Sequence, residues 1–559
     1  MSEISLKRRL VRALEDGDVV RVRDLLEAER EAVSEASMEL VSTLCSYLSP
    51  HTLQALPHLA TCCQDSLVTV ARAANPKEVL VSLLEQLDSF QSSELVVKIL
   101  PSLAAVLARV KPSSMSVSWS WALATVATHL ATCPTPPDLG LEGAERLTLD
   151  QAEAAQQCAQ LCAACLELAE SLVSVVISSG QEPDNKHRRA VIISFLLSIL
   201  SPLSTLSQHS ETSQSDEQIS PVTRYTADKL MKNVSTVTTN NWIDILHFPS
   251  PETRETFSET ADLDPVSLPT YIYFLLGEEM CQDKMPAIYT NIYLLRSSAV
   301  HIVTLLKQNN QIRVHKGLLL LQKLLTKFRP NSLTGDSGCD PSLLSLFPPL
   351  FSVIVYQEVE ELRRLGFSCY SQLVRLFSLD ARFSLYKYLL NTINHSGLLG
   401  WTITNLKDSI ATNLTADVYI EDYAGTSLSE LVSPLFKLKH GAATDLLEVS
   451  DEVIATLNFV QFLLVRDKTN RTGILDWKDQ LTVWVGQMTE GLDMSIAHYQ
   501  QKLREPQDEA GPAVEVTVGG RELPAMDSRQ TREVLLSALT TFDIIQYNLG
   551  RVKDLLNKF

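Results

Sequence analysis

Three cysteines carry the sharpest chemical suggestion in the chain: Cys158, Cys162 and Cys165 stand in a C-x3-C-x2-C run. Iron–sulfur enzymes that cleave S-adenosylmethionine use that spacing, with a glycine-rich loop splaying three thiolates around the iron. Here the run reads QQCAQLCAACLELAESL, which is rich in alanine and leucine and strongly helix-forming. A step of i, i+4, i+7 puts all three sulfurs on one helical face. The expectation is therefore a set of small core side chains, buried, reduced and metal-free. Cys62, Cys63, Cys133, Cys281 and Cys339 are scattered, with no zinc-like pairing.

Other chemistry finds no footing. The chain has no G-x-x-x-x-G-K-[ST] phosphate loop, no G-x-S-x-G elbow and no H-E-x-x-H. Gly140 and Gly143 in PDLGLEGAE are too loosely set for a dinucleotide turn. The carboxylate pairs Glu421-Asp422 and Asp451-Glu452 have the types needed for acid and base, but exposed helical carboxylates rarely take that role. The sequons at Asn233, Asn394, Asn413 and Asn470 occur at a chance frequency. The chain reads as a non-enzyme with no cofactor and no catalytic or metal site.

The elements that would position any site are helices with one apolar side. Leu535, Leu539, Phe542, Ile545, Leu549, Val552 and Leu556 step by threes and fours, as do Val314, Leu318, Leu321, Leu325 and Phe328. Leu80, Leu83, Leu84 and Leu87 repeat the pattern behind Asn75-Pro76, a helix start. Each such helix needs neighbours to bury its face, which points to an all-α, HEAT-like or ARM-like helical repeat solenoid. One departure is expected near 514–520, where Val514, Val516 and Val518 alternate with polar residues before Gly519-Gly520, a short hairpin-like insertion.

Composition narrows the partners. Hydrophobic residues make up 45% and charged residues 20% of 559, enough for a large core. The net charge of −18 argues against nucleic acid or an anionic membrane surface, since neutralising phosphates takes clustered Lys and Arg. The opening MSEISLKRRLVRALEDGDVV lacks the apolar core of a secretion signal, so a cytoplasmic protein is expected. The apolar run around Ala190 to Leu206 is broken by Pro202 and serines and reads as a buried helix, so membrane insertion is not expected.

Breaks along the chain divide it. Residues 4–48 read as short helices, and 51–132 as further pairs broken at Pro101 and Pro112. Pro134, Pro136 and Pro137 open a loop to about Thr148, before a long helix over roughly 149–179. The polar segment 208–221 reads as structureless. A loop at 247–267 separates an N-terminal helical array, 1–265, from a C-terminal one, 268–559.

Several stretches carry a resemblance. NTINHSGLLGWTITNLKDSI (391–410), GAATDLLEVSDEVIATLNFVQFLLVRDKTN (441–470), TEGLDMSIAHYQQKL (489–503) and LLSALTTFDIIQYNLGRVKDLL (535–556) resemble the C-terminal half of the glomulin family. ANPKEVLVSLLEQL (74–87) and MPAIYTNIYLLRSS (285–298) fit the same family. The resemblance implies a HEAT-like protein that inhibits cullin-RING ubiquitin ligases. Its C-terminal half is expected to bind the RING domain of the RING-box subunit and cover the face that recruits the ubiquitin-conjugating enzyme, a steric block. An immunophilin or a receptor kinase stands open as a further partner. Charge alone also allows another reading, a helical-repeat scaffold or transport receptor with an acidic inner surface for basic cargo. Such a receptor would line its concave face with carboxylates, whereas a RING cap would offer a mixed polar and apolar patch near its C-terminus.

Candidate contact residues lie in that C-terminal array. Asn394, His395 and Ser396 before Gly397 read as an inter-helix loop, open to either partner binding or helix capping. Asp445 and Asp451 read first as caps. Arg466, Asp467 and Lys468 end an apolar helix and are expected to be exposed. His498 and Tyr499 fit a binding ridge or a packed one equally, and Lys437, Lys439 and His440 form a compact basic cluster.

Overall fold

The computed structural model describes residues 6–90, 92–133, 152–178, 185–206, 221–238, 245, 263–281, 289–504, 517–518, 521–522 and 528–558. Helices begin where the sequence supplies a side-chain acceptor. Asn75 accepts from Lys77 N at 3.1 Å with Pro76 in the first turn, and Ser49 accepts from Thr52 N at 3.1 Å ahead of Pro50. Thr290 and Asn310 cap Asn291–Leu306 and Gln311–Leu325 in the same way. Each cap is worth about 1 kcal/mol, and proline at the first helical position gives up an N–H that has no helical partner anyway.

The result is an all-α helical repeat fold whose packing forms two compact units. One comprises Met1–Lys327 with Tyr356–Cys369, the other Phe328–Val355 with Tyr370–Phe559.

In the first unit the leucine faces are buried. Leu80, Leu83 and Leu87 are buried on the helix Pro76–Ser89, and Val314, Leu318, Leu321 and Leu325 on Gln311–Leu325. The cysteine-bearing helix spans Glu153–Ser178 and packs on Ser93–Leu107, Asn185–Leu203 and Pro221–Val237. Cys158, Cys162 and Cys165 are fully buried there, on the shared face that their spacing requires. Burial pushes the Cys165 thiol well above its usual range. All ten cysteines are free, and among the described residues no group of three or more His, Cys, Asp or Glu side chains is placed to hold a metal. This helix is also the one, among the described residues, long and apolar enough to cross a membrane, and half of its apolar stretch is buried by its neighbours.

One detail corrects the sequence reading and a second adds to it. Pro101 does not break a helix pair but lies inside Ser93–Leu107. It faces solvent, the side on which helix hydrogen bonds lengthen and a missing donor is best tolerated. The helix Asn185–Leu203 ends on a buried cation that no sequence pattern announced. Lys316 is 5% exposed, and its Nζ donates to the carbonyls of Leu203, Ser204 and Leu206 at 3.3, 2.9 and 3.0 Å. A positive charge there answers both the unpaired last carbonyls and the negative end of the helix dipole.

The second unit is built on the helices Ser396–Thr415, Ser450–Arg466, Lys478–Arg504 and Ser528–Leu556. The last of these buries Leu535, Phe542, Ile545, Leu549, Val552 and Leu556 against the Ser450 and Lys478 helices. Near the expected insertion, Thr517–Val518 pairs antiparallel with Arg521–Glu522. Val514 and Val516 lie outside the described residues. So do the loop expected at 134–148, the segment 208–220 and most of 247–267.

Candidate protein-binding surface

Two parallel helices of the second unit, Ser396–Thr415 and Ser450–Arg466, carry the candidate contact residues at 394–396 and 466–468, and the others lie on the Lys478–Arg504 helix and the segment beside it. At the start of both parallel helices, Glu452 N donates to Ser396 Oγ at 3.0 Å. The Ser396 helix thus supplies a cap acceptor to the Ser450 helix, whose own cap position is Val449, a residue with no side-chain oxygen. Gly400 permits the approach, since a Cβ there would stand 2.8 Å from the Asp451 carbonyl oxygen. At the other end, roughly 25 Å away for a 17-residue helix, Arg471 Cζ lies 5.5 Å from the Tyr419 ring centroid.

The Lys478 helix runs antiparallel to this pair, and the segment from Phe436 to Asp445 is laid along it. Phe436 meets Trp484 edge-on at 5.6 Å, and Gly491 leaves room for the Ala442 carbonyl, which a Cβ would approach to 2.7 Å. Burial, and then the nearby Asp445 carboxylate, push the Tyr499 phenol up.

This arrangement sorts the candidates into two groups. At the starting end, Asn394 is exposed, while His395 is the N-cap of its helix and accepts from Leu398 N through Nδ1 at 3.4 Å. Asp445 holds its own turn by accepting from Leu447 N at 2.9 Å, whereas Asp451 is exposed in the first turn of its helix. Lys437, Lys439 and His440 are exposed along the segment, with Lys439 close enough to Glu452 to pull its carboxyl partly back down. The larger influence on Glu452 is burial, which raises it. Tyr499 packs edge-on against Phe542 at 5.3 Å, and His498 is exposed beside it.

Arg466, Asp467 and Lys468 lie at the far end and do not join the others. Arg466 and Lys468 are exposed as expected, but Asp467 is only 5% exposed. Its carboxylate accepts from Arg471 N at 2.9 Å, and from Thr472 N and Thr472 Oγ1 at 2.6 Å each. A carboxylate satisfied three times by its own loop is the scaffold of that loop. A second loop is fixed beside it: buried Asn413 bonds both the N–H and the carbonyl of Ile420, at 2.9 and 3.0 Å. Gly473, at φ +78°, meets Gly425, at φ +52°, with only 3.4 Å from a Cβ position on one to Cα of the other.

Residues 18–538 match the family described as the uncharacterised YAP/Alf4/glomulin family. The chain belongs to that family. Glomulin of Mus musculus is 29% identical over 514 residues, covering 87% of this chain and 82% of that protein. Glomulin of Homo sapiens is 27% identical over 511 residues, with the same coverage. A solved structure, "Circular tandem repeat protein with novel repeat topology and enhanced subunit contact surfaces", spans 99% of this chain and 93% of its own at 10% identity. Its TM-score of 0.19 carries no argument.

For this family member, sequence reasoning missed Gly400, Gly491, Asn413 and Val418. The glycines gave a weak signal, each a lone Gly inside a helical pattern, which marks close backbone approach as often as weakness. Val418, 81% exposed in a loop between helices, gave none.

Proposed function

We propose that this chain is a cytoplasmic binding protein without catalytic activity, which caps the RING domain of the RING-box subunit of cullin-RING ubiquitin ligases and keeps the ubiquitin-conjugating enzyme off. The observation that carries this reading is the family match running from residue 18 to 538, with glomulin as the relative over 87% of the chain. The contact is placed in the C-terminal array, 268–559. Surface character supports that placement. Val418, Val483 and Tyr547 are 81%, 62% and 66% exposed, apolar side chains in water that suit a capping interface better than an acid-lined cradle for basic cargo.

Steric capping makes a kinetic demand. Full-length chain added to a reconstituted cullin-RING ligase should suppress ubiquitin chain formation, and raising the conjugating enzyme should restore it, because both ligands compete for one face. Inhibition that stays constant across a wide range of conjugating-enzyme concentration rules the mechanism out.

A further inference from the structure

The C-terminal helix Ser528–Leu556 has two sides of different character. One side, carrying Leu535, Phe542, Ile545, Leu549, Val552 and Leu556, is buried against its neighbours. At about 100° per residue the opposite side is centred on Tyr547, with Leu536, Thr540, Asp543, Ile544 and Arg551 within about 60° of it. All six are exposed, and Leu536, Ile544 and Tyr547 are large and apolar. The last helix of a repeat array needs a polar outer side, because no further repeat comes to cover it. Here that side keeps three apolar side chains and an open flank at Gly550, where nothing lies within 4 Å of a Cβ position.

Its charges are set symmetrically about the tyrosine. Asp543 stands four residues before Tyr547 and Arg551 four residues after it, so the two lie about 6 Å from it along the helix axis, in opposite directions. Near the start of the helix Arg529 and Glu533 pair with each other at 3.2 Å, whereas neither Asp543 nor Arg551 forms an ion pair among the described residues. Arg551 holds its guanidinium carbon 5.8 Å from the Tyr547 ring centroid, and a guanidinium stacked on a ring keeps its N–H edge for a carboxylate. When a second copy of this helix is turned end over end about Tyr547, Asp543 of each copy comes level with Arg551 of the other. Laid parallel, the same helices would set Asp543 beside Asp543 and Arg551 beside Arg551, so charge selects the antiparallel arrangement.

We infer that the outer side of the C-terminal helix is a self-docking surface, on which a second copy of this chain packs antiparallel about Tyr547. Two identical Asp543–Arg551 pairs flank the axis, the tyrosine rings meet on it, and each Ile544 lies along the aliphatic stem of the other copy's Arg551. A two-fold contact of this kind closes on itself, so it yields a dimer and no filament. A single helix pair falls at the small end of interface sizes, which sets the dissociation constant on the order of 10 µM. The inference does not rest on the capping reading, which the family match carries.

The test is sedimentation velocity of the full-length chain over a range of concentrations that brackets this value. The weight-average sedimentation coefficient of the unaltered chain should climb from the monomer value toward the dimer value. Asp543→Arg and Arg551→Asp, each alone, bring like charges level at both pairs and should weaken self-association by about tenfold or more. Mixed in equal amounts, the two variants should associate again, because every facing pair between the unlike chains is then of opposite sign. The doubly substituted chain, Asp543→Arg with Arg551→Asp, should recover association by itself, a rescue that damage to folding could not produce. Thermal unfolding of the single variants should match that of the unaltered chain, since both positions are exposed. An unaltered chain that stays monomeric at the highest concentration overturns the surface. Dimerisation that the single charge variants leave unchanged, or a mixture of the two that fails to associate, overturns it as well.

Discussion

Gly400→Ala isolates the feature that holds the parallel helix pair together. A methyl at this position would sit 2.8 Å from the Asp451 carbonyl oxygen and 3.1 Å from its carbon, both backbone atoms that cannot rotate away. Relaxed carbon contacts lie near 3.5 Å, so the two helices must part by about 0.4 Å or more. Two effects oppose each other. Alanine is favoured over glycine inside a helix by about 1 kcal/mol, and forcing an extra carbon into a closed contact costs about 1 to 3 kcal/mol. Because the obstruction is main chain, the upper part of that range applies, and the net loss should be about 1 to 2 kcal/mol, a fall of roughly 2 to 8 °C in Tm for a unit of this size. Gly486 in the Lys478 helix and Gly550 in the C-terminal helix have nothing within 4 Å of a Cβ. Alanine there should instead stabilise by about 0.5 to 1 kcal/mol. Thermal unfolding of the three variants, with amide hydrogen exchange read on peptides from the Ser396 and Ser450 helices, gives both sign and place. Should Gly400→Ala stabilise the protein as Gly486→Ala does, the close backbone approach is wrong.

Two further outcomes follow from burial of ionisable groups. The Glu452 carboxyl is raised above its ordinary 4.5 by burial, against a smaller downward pull from Lys439. A raised carboxyl penalises the charged form in the folded state, so its contribution is most favourable below that ordinary value and declines as pH climbs through the raised one. Glu452→Gln should therefore gain on the unaltered chain in urea midpoint at pH 7, with the gain shrinking toward pH 4, and a gain that is flat with pH would contradict the assignment. Thiols give the other test: burial pushes Cys63 and Cys369 up to about 12, Cys158, Cys162 and Cys165 are fully enclosed, and Cys339 is exposed. An aromatic disulfide reagent at pH 8 should titrate Cys339 promptly and the enclosed thiols only after denaturant is added. Prompt labelling of Cys162 in the folded protein would show that the face is open.

Much of this architecture is local and therefore readable along the chain. The i, i+4, i+7 step of Cys158, Cys162 and Cys165 decides that they share a face, and the stepping from Leu535 to Leu556 decides which side of the last helix is buried, because 3.6 residues per turn is a property of the backbone alone. Asn75 before Pro76 marks its helix start for the same reason, since a cap acts within three residues. Periodicity says that a face is buried but not against what. Only the folded chain puts Ser396 at the start of the Ser450 helix, Lys316 on the carbonyls of Leu203 to Leu206, and Cys133 beside Cys158. Asp467 shows the limit within three residues: between exposed Arg466 and Lys468 it turns inward, because Thr472 and Arg471 offer its carboxylate donors that the loop would otherwise leave unpaired. Which helices form, and with which side inward, was set by short-range repetition in the residues. Which helix meets which, and so which polar groups are used up and which stay free for a partner, was decided by contacts between residues tens of positions apart, and those depend on the packing of the whole unit.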